Sequence, residues 1–125
     1  MVEATIDPHH QPIARCSSSI RYTCVVDGDT LWVNGTKIRI EEIDTPEVSD
    51  PKCASEAALG AKATSRLIEL LNQGPFSVVN NGGRDQDHYG RKLRIIESGG
   101  KSVGATLVEE GLARWFGTER RSWCI

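Results

Sequence analysis

An alternating pattern of apolar and polar positions predicts strands in the first third of the chain. Residues 18–33 are rich in β-forming residues and alternate, with a break at the tripeptide DGD. The dipeptide Asn34-Gly35 predicts a type I′ hairpin turn, because both residues tolerate a positive φ. A third strand, over residues 36–43, directs Arg39 away from the core face. Neighbouring strands in this region are therefore expected to pair.

The pattern then changes to helical spacing. Apolar residues that recur every three to four positions predict a helix over residues 53–72. Short strands over residues 76–80 and 91–97 flank an exposed loop, and a second helix over residues 103–110 ends at Gly111. This order predicts an α+β fold: a five-stranded OB-fold Greek-key barrel with a helix between strands 3 and 4 and a further C-terminal helix.

Length and composition favour one folded domain. The chain has 125 residues, of which 38% are hydrophobic and 26% are charged, as in ordinary globular proteins. Residues 1–17 are polar and show no periodicity, which predicts a flexible lead-in before a single domain over residues 18–125. No segment has the apolar length of a membrane span or of a signal peptide, so we expect no membrane partner.

The four cysteines leave two interpretations open. They are Cys16, Cys24, Cys53 and Cys124. No CxxC or Cys/His spacing is present, which argues against a structural zinc site. An even number suits an exported protein with disulfides, and four free thiols suit a reducing cytosol equally well.

A formal net charge of −2 argues against a protein that coats nucleic acid with a diffuse positive surface. The segment GRDQDHYGRKLR is a local exception, since four cations there meet only two anions. The cations are Arg84, Arg91, Lys92 and Arg94, and the anions are Asp85 and Asp87. A bound divalent cation nearby would add two more positive charges.

Four carboxylates surround the predicted third strand beside Arg39. They are Asp27, Asp29, Asp44 and Glu47. Asp29 and Asp44 are expected at the ends of adjacent strands, where unpaired carboxylates raise each other's pKa unless a cation lies between them. Carboxylate and carbonyl oxygens suit calcium or magnesium. Each motif taken singly is more typical of a turn or a helix cap.

The neighbouring side chains predict phosphodiester hydrolysis when taken together. Glu47 is able to orient or deprotonate a water, or to lie in the first turn of a helix. Arg39 and Arg91 can each donate two parallel hydrogen bonds to a phosphate, although a strand arginine more often keeps its head group in water. Hydrolysis needs a Lewis acid, an oriented water and neutralisation of the developing charge, and this set supplies all three.

Several other side chains have two interpretations each. Tyr89 either contacts a nucleotide or packs on the barrel rim. Trp115 and Phe116 are able to stack on a base, but coverage of the core is the favoured interpretation. Glu42 is predicted to face inward next to Ile43, where a carboxylate needs a partner or a proton.

Four segments together resemble the thermonuclease, or staphylococcal nuclease-like, family. VVDGDT, IRIEEIDTPE, DHYGRKL and LVEEGLAR have that family's order and spacing over residues 22–115. The resemblance implies an OB-type barrel and calcium-dependent hydrolysis of DNA and RNA that leaves 3′-phosphate ends. We expect a monomer that prefers single-stranded substrate and has little sequence preference. The resemblance also favours an exported protein.

The resemblance implies roles for individual residues. The ligands of one calcium ion would be Asp29 and Asp44 through their carboxylates and Thr45 through its backbone carbonyl. Two arginines would bind the phosphate and stabilise the transition state, and a glutamate would activate the water. Their counterparts here are Arg39, Arg91 and Glu47.

The implied nucleotide pocket is only partly present. Tyr89 matches a tyrosine of that pocket, and His88 replaces a basic residue, so a phosphate contact there would depend on pH. The aromatic pair that stacks on the base in the best-known member falls near Gly117 and Glu119, so the resemblance supplies no such pair. The main alternative is a non-catalytic OB-fold module that binds nucleic acid or protein. Such modules tend to lack one or more of the site carboxylates and arginines, which are all present here. A weaker alternative is a structural domain that calcium stabilises.

Overall fold

The computed structural model describes residues 1–118 and 121–124, which form nine strands and two helices. They are β1 (Val2–Ile6), β2 (Cys24–Asp27), β3 (Thr30–Val33), β4 (Thr36–Ile40), β5 (Ile43–Asp44), α1 (Ala54–Leu71), β6 (Phe76–Val79), β7 (Lys92–Ser98), β8 (Lys101–Ser102), α2 (Val103–Glu109) and β9 (Arg114–Trp115). No helix in these two ranges is long and apolar enough to cross a membrane.

A strongly curled mixed sheet forms a half-barrel in the order β1-β6-β7-β4-β3-β2, with β8 beside β7. Strands β4 and β7 run parallel, and the other pairs are antiparallel. The predicted α+β OB-like fold is confirmed, since α1 lies between the third and fourth predicted strands and α2 follows the fifth. Asn34 and Gly35 have φ values of 51° and 82°, as the hairpin prediction requires.

The N-terminal segment, residues 1–17, lies along both edges of this sheet. Strand β1 pairs with β6, and on the opposite edge Arg15 forms a parallel bridge with Val25. Between these contacts the Asn72 side chain accepts from Ile13 N and donates to Ile13 O, both at 2.8 Å. The segment expected to be a flexible lead-in therefore contains a paired strand, Val2–Ile6, and the domain bounds stay a prediction. Its pairing partners are distant in sequence, so its local pattern did not reveal them.

Helix α1 packs closely against the segment that follows β5. A Cβ atom at Gly60 would lie 2.9 Å from the carbonyl oxygens of Pro46 and Glu47. A Cβ atom at Gly28 would lie 2.8 Å from the Cβ atom of Ala63. Because only glycine permits both approaches, the helix holds this segment at a fixed distance from the β2–β3 turn.

All four cysteines are paired, in the bonds Cys16–Cys24 and Cys53–Cys124. The first bond joins the N-terminal segment to β2, and the second joins the C-terminal residues to the residue before α1.

The prediction that Glu42 faces inward is confirmed. Its Oε1 atom is buried beside the start of α2 and has no hydrogen-bond partner within the described ranges.

Candidate active site

Arg39 lies between two carboxylates, one from the β2–β3 turn and one from β5. Its Nη2 atom is 2.7 Å from Asp44 Oδ1 and 3.6 Å from Asp29 Oδ2. Thr30 is opposite Arg39 in the β3–β4 pair, which brings the preceding Asp29 to the same place. Asp44 arrives from β5. The structure therefore brings Asp29, Asp44 and Arg39 together, as the sequence analysis predicts.

The Arg39 guanidinium is held in one orientation by the surrounding backbone. Nη1 donates to the carbonyl oxygens of Ile40 at 2.7 Å and Ile43 at 3.0 Å. The Phe116 ring lies 5.6 Å from the guanidinium carbon, within cation–π range. Only 12% of the side chain is exposed. The contacts of Nη1 and of the ring thus hold the group with Nη2 directed at the two carboxylates.

Arg91, immediately before β7, joins the same network. Its Nε donates to Asp87 Oδ2 at 2.7 Å, and its Nη1 donates to Thr30 Oγ1 at 3.4 Å. Thr30 Oγ1 in turn donates to Asp29 Oδ1 at 2.9 Å. The two guanidinium groups of Arg39 and Arg91 are thus connected through one threonine and one aspartate, and they face the same site.

Asp87 positions Arg91, a role that the sequence analysis missed. Its Oδ1 accepts from the backbone N–H groups of Tyr89 and Arg91, both at 3.0 Å. Burial by itself raises the pKa of Asp87, but the hydrogen bonds from Arg91 lower it below its ordinary value. The only signal in the sequence was an aspartate four residues before the arginine.

Asp27 and Glu47 add negative charge that the Arg39 guanidinium does not balance. Burial, followed by the charge of Asp29, raises the pKa of Asp27 to about 7. Burial also raises the pKa of Glu47, with Asp29 and Glu56 adding to the effect and Arg39 opposing it. The sequence analysis counted Asp27 among the carboxylates but gave it no role. The site thus holds excess negative charge, which a divalent cation would neutralise.

The oxygen donors at this position fit a hard divalent cation. The Asp29 and Asp44 carboxylates both face a single point, at which Arg39 Nη2 now lies. Thr45 is buried, with its side chain against Gly28. No three His, Cys, Asp or Glu side chains converge as a metal centre in the described part of the chain. Two carboxylates would therefore need backbone or water oxygens to complete the coordination, and the ligand roles stay predictions.

Comparison with known proteins gives the family of the chain. The family model described as staphylococcal nuclease homologue matches residues 37–122. The chain belongs to this family. The resemblance recognised from the four sequence segments is therefore confirmed.

The chain is similar to two proteins of Bacillus subtilis (strain 168) that are named as endonucleases. It is 41% identical over 93 residues to endonuclease YncB, covering 71% of this chain and 44% of that protein. The SPbeta prophage-derived endonuclease YokF is also 41% identical over 93 residues, covering 71% of this chain and 31% of that protein. The succinoglycan biosynthesis protein ExoI of Rhizobium meliloti (strain 1021) is 29% identical over 93 residues, covering 71% of this chain and 48% of that protein. The chain thus spans less than half the length of each of these relatives.

In this member of the staphylococcal nuclease homologue family, Tyr89 presents its ring to solvent. The side chain is 73% exposed, and the guanidinium carbon of Arg91 lies 5.4 Å from the ring centroid. The rings of His88 and Tyr89 are 4.0 Å apart. This exposure argues against the interpretation that the Tyr89 ring packs on the barrel rim. The substrate-binding roles of Tyr89 and His88 stay predictions.

Trp115 and Phe116 are exposed, so the expectation that they cover the core is wrong. Their exposed fractions are 43% and 58%. Trp115 lies in β9 opposite Ile43 of β5, and this short pair lies outside the main sheet. Gly117 carries no side chain, and Glu119, the other position matched to the family's stacking pair, lies outside the described residues.

Two of the cations predicted to form a local basic surface belong instead to a second cluster. We call it the Arg94 cluster: Glu3, Asp85, Lys92 and Arg94. Arg94 Nη2 lies 2.7 Å from Asp85 Oδ1, and Lys92 Nζ lies 2.7 Å from Asp85 Oδ2. The expected local excess of positive charge is therefore largely neutralised by these ion pairs and by the pairing of Arg91 with Asp87.

Proposed function

We propose that the protein is a calcium-dependent nuclease that hydrolyses phosphodiester bonds of DNA and RNA. It would prefer single-stranded substrate, show little sequence preference, act as a monomer and leave 3′-phosphate ends. The observation that carries this proposal is the single network that joins the Arg39 and Arg91 guanidinium groups to the carboxylates of Asp29 and Asp44. Family membership and two relatives named as endonucleases support it.

The two arginines would bind the phosphate of the substrate. Arg39 keeps Nη1 on backbone carbonyls, so its Nη2 edge is the part able to turn to a phosphate oxygen. Arg91 keeps Nε on Asp87 and Nη1 on Thr30, and no hydrogen bond within the described ranges uses its Nη2. Two guanidinium groups aimed at one phosphate stabilise the charge that develops in the transition state.

Glu47 would take a proton from the attacking water. Burial and its acidic neighbours raise its pKa, which makes the carboxylate a stronger base than an exposed glutamate. The water oxygen would form a bond to phosphorus, the bond from phosphorus to the 5′ oxygen would break, and the leaving 5′ oxygen would take a proton from solvent. A calcium ion held by Asp29, Asp44 and the Thr45 carbonyl would supply Lewis-acid polarisation of the phosphate. Tyr89 and His88 would contact the substrate beside Arg91.

Cleavage of denatured DNA and of RNA by the purified protein tests the proposal. We expect both substrates to be cut in calcium, cutting to stop when a chelator is added, and end-group analysis to find 3′-phosphate and 5′-hydroxyl termini. Products with 5′-phosphate ends, or cleavage that continues in chelator, would contradict it. Binding without cleavage in calcium, magnesium or manganese would identify the non-catalytic module instead. A rise in melting temperature with calcium and no cleavage would identify a structural calcium domain.

A further inference from the structure

A cavity of about 420 Å³ opens beside the candidate active site. One wall is the segment after β5, which contributes Asp44 and Glu47, and the opposite wall is the C-terminal part of the chain, which contributes Trp115 and Trp123. Its volume lies within the usual range of ligand sites, roughly 300 to 1,000 Å³. Because the cavity shares Asp44 and Glu47 with the candidate site, a polymer bound at that site can continue into it.

The C-terminal wall is fixed by contacts to the start of α1. The Cys53–Cys124 disulfide anchors it covalently, and Ser55 Oγ donates to Trp123 O at 3.0 Å. The guanidinium carbon of Arg114 lies 3.7 Å from the centroid of the Trp123 ring, in a close stack. A wall held in this way loses little conformational entropy when a ligand binds.

The cavity lining combines an exposed aromatic ring with cations. The Trp115 side chain is 43% exposed and lines the cavity. Lys52 and Arg121 also line it, and neither is in a salt bridge within the part of the chain that the structure describes. The Glu56 carboxylate accepts from the backbone N–H groups of Glu47 at 3.3 Å and Lys52 at 2.7 Å, which stabilise its charge.

We propose that this cavity is a nucleotide subsite of a single-stranded nucleic acid. It would bind the nucleotide next to the cleaved phosphodiester, with the base stacked on Trp115 and its phosphate near Lys52 and Arg121. An aromatic face plus cations is the combination that binds unpaired nucleotides without reading their sequence. The inference rests on the proposed function and deepens it, because it predicts that catalytic efficiency rises with the length of the substrate.

Two substrates separate this subsite from the catalytic centre. One is an oligothymidylate of about ten nucleotides, and the other is methyl p-nitrophenyl phosphate, which has a single ring on its leaving group and no nucleotide on the other side of the phosphorus. The measured quantity is the ratio of kcat/KM for the first substrate to kcat/KM for the second. We expect Trp115→Ala to lower this ratio at least about fivefold, since stacking contributes roughly 1 to 3 kcal/mol per base. Lys52→Ala should lower it less, and the loss should shrink at high salt.

Matched control variants remove an aromatic ring or a cation that lies outside the cavity. Tyr22→Ala removes an exposed ring that does not line the cavity, and Lys62→Ala removes a cation on the exposed side of α1. Neither control should change the ratio. Circular dichroism and the melting temperature should show that all four variants are folded.

Binding of a labelled oligothymidylate, followed by fluorescence anisotropy in chelator, gives a readout that does not need catalysis. We expect Trp115→Ala to weaken this binding at least about fivefold. If neither the binding nor the kcat/KM ratio changes in Trp115→Ala and Lys52→Ala, the subsite is refuted, although wild-type cleavage would keep the nuclease proposal. If the wild type binds through Trp115 but cleaves no phosphodiester, the nuclease proposal fails and the cavity is a nucleic-acid-binding site without a catalytic role.

Discussion

Two charge clusters at and next to β7 use the same residue types and differ in their charge balance. In the Arg94 cluster, hydrogen bonds from Arg94 lower the pKa of Glu3. Hydrogen bonds from Lys92 and Arg94 lower the pKa of Asp85. In the candidate active site, burial and neighbouring carboxylates raise the pKa values of Asp27 and Glu47. One cluster is balanced in charge, and the other holds an excess of negative charge.

The difference indicates what each cluster is for. A balanced network stabilises the fold, because every charge in it gains a partner on folding. An excess of partly buried carboxylates costs stability, and such groups are common at sites that bind cations or carry out proton transfer. Asp85 and Asp87 make the contrast sharp, since they lie two residues apart on one loop and pair with arginines of different clusters.

The largest expected effect is on the rate of cleavage. Arg39→Ala and Arg91→Ala should each fold normally and lose at least ~100-fold in kcat/KM on single-stranded DNA, because each removes a guanidinium that stabilises the transition state. Arg66→Ala is the control, since Arg66 forms an exposed ion pair with Glu110 on the surface of α1 and α2. Near-wild-type turnover in both site variants would refute their assignment.

In the Arg94 cluster, replacement of the arginine by alanine should lower the free energy of unfolding and leave the rate of cleavage unchanged. Arg94 is 4% exposed and donates to the carboxylates of Glu3 and Asp85 and to two backbone carbonyls. Arg94→Ala should lower the free energy of unfolding by about 2 kcal/mol, because hydrogen bonds to charged groups are worth about 1.5 to 3 kcal/mol each and the exposed carboxylates regain water. Urea unfolding measures this, with Arg66→Ala expected to cost less than about 1 kcal/mol. A rate loss in Arg94→Ala as large as that of Arg91→Ala would remove the distinction between the clusters.

Substitution of the two loop aspartates tests whether the Arg94 cluster and the candidate active site act separately. Asp87→Asn keeps an acceptor for the backbone N–H groups but loses the charge that orients Arg91, so kcat should fall by about tenfold, equivalent to about 1.4 kcal/mol. Asp85→Asn should leave kcat close to the wild-type value and lower the melting temperature. A loss of kcat in Asp85→Asn together with a normal kcat in Asp87→Asn would show that the loop contacts in solution differ from those in the structure.

The smallest effect concerns acid pH. The pKa values of Glu3 and Asp85 are lower in the folded protein than in the unfolded chain, so their contribution to stability is fully present above the unfolded pKa. That contribution is lost as the pH falls through the folded values, between about pH 5 and pH 2. Glu3→Gln should therefore flatten the fall in melting temperature over this range, whereas an unchanged slope would mean that the Glu3 pair contributes nothing.

The features that sequence predicts well here are local ones. The Asn34-Gly35 turn and α1 follow from residues next to one another, and the placement of Asp29 beside Arg39 follows from one hairpin register. The four family segments then connect these parts to a function. None of this required knowledge of a contact between distant parts of the chain.

The features that sequence missed depend on distant contacts or on very short strands. Strand β1 has a partner that begins about seventy positions later, and Cys53 pairs with a cysteine 71 positions away. Strand β9 has only two residues, so no alternation showed that Trp115 would face outward. The role of Asp87 depended on the loop conformation that places it against Arg91.

The placement of β1 also affects the order in which the protein can fold. Thr5 and Ser77 are cross-strand neighbours 72 positions apart, so β1 leaves the ribosome long before the strand it pairs with exists. The Cys53–Cys124 bond likewise joins residues 71 positions apart, so it cannot form before the second of them has been synthesised. We therefore expect the sheet to close late in folding, with the nascent N-terminal strand accessible to chaperones until then.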